Sequence, residues 1–241
     1  MTVASNKFAI RPRMLFDRRT AILVAIFPIL VLALINHVYM REVFDLGLGW
    51  FYFVDALRWV AIPLCIWIFI LEPNGIRLQE LGFTLRLPGG TPSVFAGDFV
   101  VAVVLLSLAY EPVLHIAHRF LWRYASSFGY RNTIPQSFPW NAIAIIYLSS
   151  TTALIEESVF RGLLWSYFDN FSREYNPRFW YVALTSLLFA AVHSSQGPAG
   201  VIAAFSMGLA ASLLYLHFRN LWPLVFGHFV IDVHHFWPSS G

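Results

Sequence analysis

Residues 94–115 read VFAGDFVVAVVLLSLAYEPVLH, and Asp98 and Glu111 are the only Asp, Glu, Lys or Arg among them. At a rise of about 1.5 Å per residue, a helix of that length covers about 30 Å, the thickness of a bilayer's hydrocarbon core. Backbone amides in lipid have no water to bond, so such a run closes its hydrogen bonds within itself as a helix. A closed barrel would need strands that alternate apolar and polar residues, and no segment shows that pattern.

Six further apolar segments lie on either side: Thr20–Met40, Trp50–Leu71, Trp140–Ser166, Phe179–Ser194, Pro198–Phe218 and Trp222–Trp237. Breaks fall where turn chemistry is dense, as at Glu72-Pro73-Asn74-Gly75, Pro88-Gly89-Gly90-Thr91-Pro92 and Gln196-Gly197-Pro198. Aromatic residues gather at segment edges, in Trp50-Phe51-Tyr52, Phe179-Trp180-Tyr181 and Trp222, the pattern of an interfacial belt. The whole chain is 58% hydrophobic and 12% charged, about half the charge of a soluble domain. That composition excludes a disordered chain and argues against an ordinary soluble enzyme. The expected fold is all-α, a polytopic transmembrane helical bundle of about seven spans. Ile116–Ser127 makes an eighth helix if it lies along the interface.

Lys and Arg total 16 against 13 Asp and Glu, but they form no stripe or run. They punctuate the apolar segments, which points to a lipid bilayer rather than nucleic acid as partner. Cys65 stands alone, so no intrachain disulfide and no C-x-x-C site is possible. With the N-terminus inside, the inner loops hold ten basic residues, among them Lys7, Arg11, Arg13, Arg18 and Arg19. The outer loops hold Arg41, Arg119, Arg123 and Arg131. This bias predicts a cytoplasmic N-terminus. The first run is too long for a signal-peptide core and lacks a small-residue cleavage site, so it is expected to be an uncleaved span. The expected organisation is a basic cytoplasmic tail at 1–19, three spans with their connections at 20–139, and a functional helical core at 140–241.

Eight charged residues fall inside apolar segments: Asp55, Arg58, Asp98, Glu111, Glu156, Glu157, Arg161 and Asp232. Each costs a few kcal/mol at mid-membrane, so a residue kept there normally faces the bundle interior and has a partner. The densest stretch is Thr152-Ala-Leu-Ile-Glu156-Glu157-Ser-Val-Phe-Arg161-Gly162. Glu157 and Arg161 stand at i, i+4, the spacing of an ion pair. Glu156 projects about 100° away around the helix, without a cation at pairing distance on its own helix, and is the candidate proton acceptor. A purely structural salt-bridge cluster would explain the pair but not the additional carboxylate. Further on, Phe189-Ala-Ala-Val-His193 ends the fifth segment, and His228-Phe-Val-Ile-Asp232 places an imidazole and a carboxylate on one helix face. A carboxylate one turn from a histidine commonly fixes its tautomer.

Together, Glu156-Glu157-x-x-x-Arg161, Phe189-x-x-x-His193 and His228-x-x-x-Asp232 resemble the three motifs of the CPBP family of intramembrane proteases, the CaaX-protease and bacteriocin-processing group. The resemblance covers roughly Trp140 to Trp237, and the first three spans match only as hydrophobic helices. The family often carries asparagine where this chain has Asp232. The resemblance implies an intramembrane endopeptidase for membrane-associated peptides or proteins, in a multi-pass protein of a bacterial inner or plasma membrane. It implies that Glu156 and His193 activate a water while His228 and Asp232 complete the site. From the residues themselves, Glu156 is the base, His193 positions water or carbonyl, and His228, oriented by Asp232, donates to the oxyanion. Glu157 and Arg161 then hold Glu156 in place. A zinc ion held by Glu156, His193 and His228, or with Asp232, is a second way to use these residues. H-E-x-x-H is absent and a metal-free glutamate mechanism is preferred.

Depth constrains this picture. Counting from inner ends at Ser166, Phe179 and Trp222 puts Glu156, His193 and His228 roughly 15, 21 and 9 Å deep. Convergence then requires the fifth span to start near Ala183 and the seventh near Arg219. Glu111, His115 and His118 share one face of the third segment, beside Pro112, and are expected to form a polar face rather than a second metal or proton site. Asp55 and Arg58 are expected to be a structural pair. The rival functions are a proton- or ion-coupled transporter and a non-catalytic scaffold or immunity protein. The first normally shows paired repeats and broken helices, and the second would tolerate a lost motif residue. Neither sign is present.

Overall fold

The computed structural model describes residues 18–34, 40–84, 92–121, 130–171 and 176–237. Among them every regular element is helical, and no strand occurs. Helix α1 is Arg18–Leu34 and α2 is Met40–Asp45; α3 spans Leu48–Asn74, α4 Pro92–Leu121, α5 residues 140–171, α6 Pro177–Val192, α7 Gly197–Phe218 and α8 Trp222–Phe236. Four of these contain stretches long and apolar enough to cross a membrane: Leu48–Asn74, Ala96–Leu121, Trp140–Asp169 and Ser194–Phe218. Ala21–Leu34 and Pro177–Val192 are apolar but shorter, and α8 has 15 residues, roughly 22 Å of helix. Where described, the expected seven apolar segments are helical, and among the described residues four stretches reach spanning length. The expected basic residues Lys7, Arg11, Arg13, Arg86, Arg123 and Arg173 lie outside the described residues. So does the second half of Ile116–Ser127, while its first half simply continues α4.

Helix α7 sits at the centre, packed against α4 and α6, and α8 packs against α4 and α5. The buried face of α7 is built from small side chains, Ala203, Ala204, Gly208, Ala211 and Ser212, which let neighbouring backbones approach. Polarity runs inward. Glu156, Glu157, Arg161, Asp55 and Arg58 are buried, whereas Val100, Leu108, Leu187 and Leu213 are exposed. A water-soluble fold does the reverse, and lipid is the solvent that suits these surfaces. The edge aromatics divide: Trp50, Phe179 and Trp180 face outward as a belt would, but Phe51 and Tyr181 are core residues.

Two helices widen into π turns. In α3 one covers Leu57–Ala61, just before Pro63. Proline has no N–H, and its ring crowds the carbonyl four residues earlier, so a wider turn there relieves the clash. In α5 another covers Ser158–Leu163 and carries Arg161. Gly162 lies within it, because a Cβ there would stand 2.7 Å from the carbonyl oxygen of Leu81. That carbonyl accepts the Tyr215 hydroxyl at 3.0 Å, and neighbouring Gly82 accepts Leu221 N–H at 2.8 Å. The connection after α3 is thereby tied to both α5 and the α7–α8 turn. Gly227 fits α8 against α4 in a similar way, its absent Cβ lying 3.1 Å from Ala102 backbone carbon.

Neither boundary shift that the depth count requires occurs: α6 starts at Pro177 and α8 at Trp222. The count took Ser166 as the inner end of its segment, but α5 continues to Phe171. Gly162→Ala is expected to cost about 1–3 kcal/mol by overpacking against backbone that cannot retreat. Thermal unfolding in detergent checks this through a lower midpoint than that of the parent.

Candidate active site

Glu157 joins the π turn of its own helix α5 to α8. Its Oε2 stands 3.2 Å from Arg161 Nε as the expected ion pair, both side chains fully buried. Its Oε1 stands 2.8 Å from Nδ1 of His228 on α8. A carboxylate paired with an arginine only accepts, so the His228 Nδ1–H donates. This differs from the expected orientation of His228 by Asp232. The Asp232 Oδ2 is 3.6 Å from the other nitrogen, Nε2, and it is Glu157 that fixes the ring. Arg161 completes the support by lying over the Phe189 ring, 4.4 Å from its centroid.

His193 ends α6 rather than lying within a span. It caps the helix and leads into the short 3₁₀ turn Ser194–Gln196. Its Nδ1 is 2.7 Å from the Phe189 carbonyl oxygen, which can only accept. That bond leaves Nε2 facing Glu156 Oε2 at 4.0 Å. His228 Nε2 faces the same oxygen, also at 4.0 Å. The structure thus brings Glu156, His193, His228 and Asp232 together, with Glu157 and Arg161 behind them. They border a cavity of about 240 Å³, 3% exposure being all that Glu156 and His228 retain.

The same cavity reaches beyond the motifs. Arg58 from α3, Tyr110 and His118 from α4, Thr152 from α5 and His235 from α8 also line it. Arg58 was legible as a charge inside an apolar segment and as half of a pair with Asp55, and Tyr110 carried no signal at all. Asp55 does stand by Arg58, at 4.0 Å. The face expected for Glu111, His115 and His118 divides: Glu111 meets His234 of α8 at 3.2 Å, His115 meets Arg119 at 3.2 Å, and His118 turns to the cavity.

A tetrahedral zinc site has bonds of about 2.0–2.1 Å, which sets its ligand atoms roughly 3.3 Å apart. The 4.0 Å separations of Glu156 from His193 and from His228 are wider. Among the described residues, no three His, Cys, Asp or Glu side chains are arranged to hold a metal ion. As arranged here, the expected set of Glu156, His193 and His228 is too open for a tetrahedral zinc ion.

Fold and site together define an integral membrane helical bundle with a carboxylate–imidazole site enclosed among its helices. Residues 138–234 match the family model described as type II CAAX prenyl endopeptidase Rce1-like, in agreement with the CPBP resemblance of the three motifs. That description is of a protease family, and the matched segment holds all seven motif residues. No curated protein and no solved structure matches the chain.

Removing Arg161 would leave Glu157 buried without its guanidinium. Arg161→Met is expected to lower stability by about 3–5 kcal/mol, the usual result of breaking a buried ion pair. The double variant Arg161→Met, Glu157→Gln should recover part of that loss. Thermal midpoints of parent, single and double variants in detergent measure the coupling.

Proposed function

We propose that this chain is an intramembrane endopeptidase that hydrolyses peptide bonds of membrane-associated substrates by a metal-free, glutamate-activated water. The observation that carries this reading is the approach of His193 Nε2 and His228 Nε2 to one oxygen of Glu156, each at 4.0 Å, on the wall of one cavity. A gap of that size suits a single water hydrogen-bonded to both sides. The water donates one hydrogen to the lone pair that His193 keeps on Nε2 and the other to Glu156. Glu156 takes its proton as the oxygen adds to the substrate carbonyl carbon. His228, with Nδ1–H given to Glu157, carries a second proton on Nε2 and donates it as a hydrogen bond to the carbonyl oxygen as that becomes an oxyanion. Asp232 balances the charge of this imidazole. When the tetrahedral intermediate collapses, Glu156 passes its proton to the departing amine, so the C–N bond breaks and water's atoms divide between the two products.

The reading assigns catalysis to 140–241 and the surrounding spans to membrane placement, with the N-terminus cytoplasmic and a bacterial inner or plasma membrane as the setting. The family description, CAAX prenyl endopeptidase, supplies a probe: a quenched fluorescent peptide ending in a farnesylated Cys-aliphatic-aliphatic-X box.

Glu156→Gln is expected to reduce turnover of that probe by about 10²–10⁴-fold with an unchanged thermal midpoint. Persisting cleavage in this variant contradicts the base assignment. His228→Ala should lower kcat by about 10²–10³-fold, as loss of an oxyanion donor does. The assay is kcat and KM in micelles beside an unfolding curve. Unfolding of the variant would mark His228 as structural.

A further inference from the structure

We propose that the side-chain amide of Gln196 pairs with the backbone of an extended substrate peptide and so lays the scissile bond beside His193 and Glu156. The inference rests on the endopeptidase reading and adds to it the residue that holds the peptide chain itself.

A peptide that enters a cavity among membrane helices leaves water, and each of its backbone N–H and C=O groups then needs a new partner. Glu156, His193 and His228 serve the scissile carbonyl and the attacking water. None of them is assigned to the rest of the peptide. Among the described residues lining the cavity, Gln196 carries the single side-chain amide. A primary amide has a carbonyl that accepts and an NH2 that donates. In an extended chain one residue's own N–H and C=O point to the same side, so one such amide can meet both. It is also uncharged, so Glu156 and Asp232 beside it do not compete for an ion pair.

The local fold places this amide. His193 ends α6, and the 3₁₀ turn Ser194–Gln196 follows it directly. The Gln196 N–H donates to the His193 carbonyl at 2.9 Å, which holds the two residues in a fixed relation. The Gln196 side chain lies across the first turn of α7. A Cβ at Gly200 would stand 2.5 Å from Gln196 Cβ and 3.0 Å from its Oε1, so glycine at 200 makes the room that the side chain occupies. A residue preceding a helix often returns its side chain to the free N–H groups of the first turn. Asn176 does so before α6, where its Oδ1 accepts the Phe179 N–H at 3.3 Å. Gln196 stands in the same position before α7 and makes no such bond. Among the described residues its amide has no hydrogen-bond partner, and it borders the cavity with both its donor and its acceptor uncommitted.

The test is binding of the farnesylated Cys-aliphatic-aliphatic-X peptide, carrying one fluorophore, to the full chain with Glu156→Gln. Fluorescence anisotropy in detergent micelles follows it. In a set of otherwise identical peptides, each backbone N–H near the scissile bond is replaced in turn by an ester oxygen. One of these esters is expected to weaken binding about 3–10-fold, as loss of a single hydrogen bond does. Adding Gln196→Leu should weaken the all-amide peptide by a similar factor, and the sensitive ester should then cause no further loss. A substitution that merely disturbed the turn would leave the cost of that ester in place. Should Gln196→Leu lower the thermal midpoint, Gln196→Met takes its place, and the ester series on the Gln196 chain is decisive without either. No binding of the all-amide peptide, no sensitive ester, an ester cost that persists without Gln196, or unchanged binding of the all-amide peptide to Gln196→Leu overturns the proposal. The readout needs no turnover. A parent chain that shows the Gln196-dependent ester effect yet cleaves nothing refutes the endopeptidase reading and leaves the backbone contact standing. A parent chain that cleaves while binding ignores Gln196 does the reverse.

Discussion

The bond between Glu157 and His228 is the constraint on which the rest of the site depends. It joins residues 71 positions apart, on α5 and α8, in a buried setting where neither group is tolerable alone. Arg161 neutralises the carboxylate from one side, and the carboxylate fixes the imidazole from the other. One buried chain of charges thus stabilises a helix contact and aims His228 Nε2 at Glu156. Structural and chemical roles are not separable at Glu157, because the atom that accepts from His228 belongs to the group that Arg161 holds.

Lipid makes this arrangement necessary and also makes it effective. Apolar packing between helices gains little from a solvent that is itself apolar, so small residues on α7, close approaches at Gly162 and Gly227, and polar links such as Tyr215 to Leu81 hold the bundle together. The same low dielectric strengthens each charge contact inside the cavity. The two histidines that face Glu156 are each tied at one nitrogen, which limits how their rings reorient.

Much of this was legible from the sequence. Apolar runs located the helices, and the i, i+4 spacing foretold the Glu157–Arg161 pair. The three motifs named residues that do border one cavity. What was missed lay between helices. Spacing on α8 suggested that Asp232 orients His228, since a one-dimensional reading sees only neighbours on one helix; the stronger partner came from α5. Arg58 looked like half of a local pair because its second neighbour, the cavity, forms only when α3 meets α5. The depth count failed for the same reason. Helix lengths are written in the sequence, but the stagger of helices against one another is set by packing, and His193 reaches the site by ending its helix rather than by sitting at a given depth.

The most direct measurement is an experimental structure of the full chain bound to a phosphinic analogue of its peptide substrate, whose tetrahedral phosphorus mimics the hydrolytic intermediate. The account predicts one phosphinyl oxygen within about 3 Å of Glu156 and His193 Nε2, and the other at His228 Nε2. An analogue seated outside this cavity, or the four side chains turned away from its phosphorus, would contradict it.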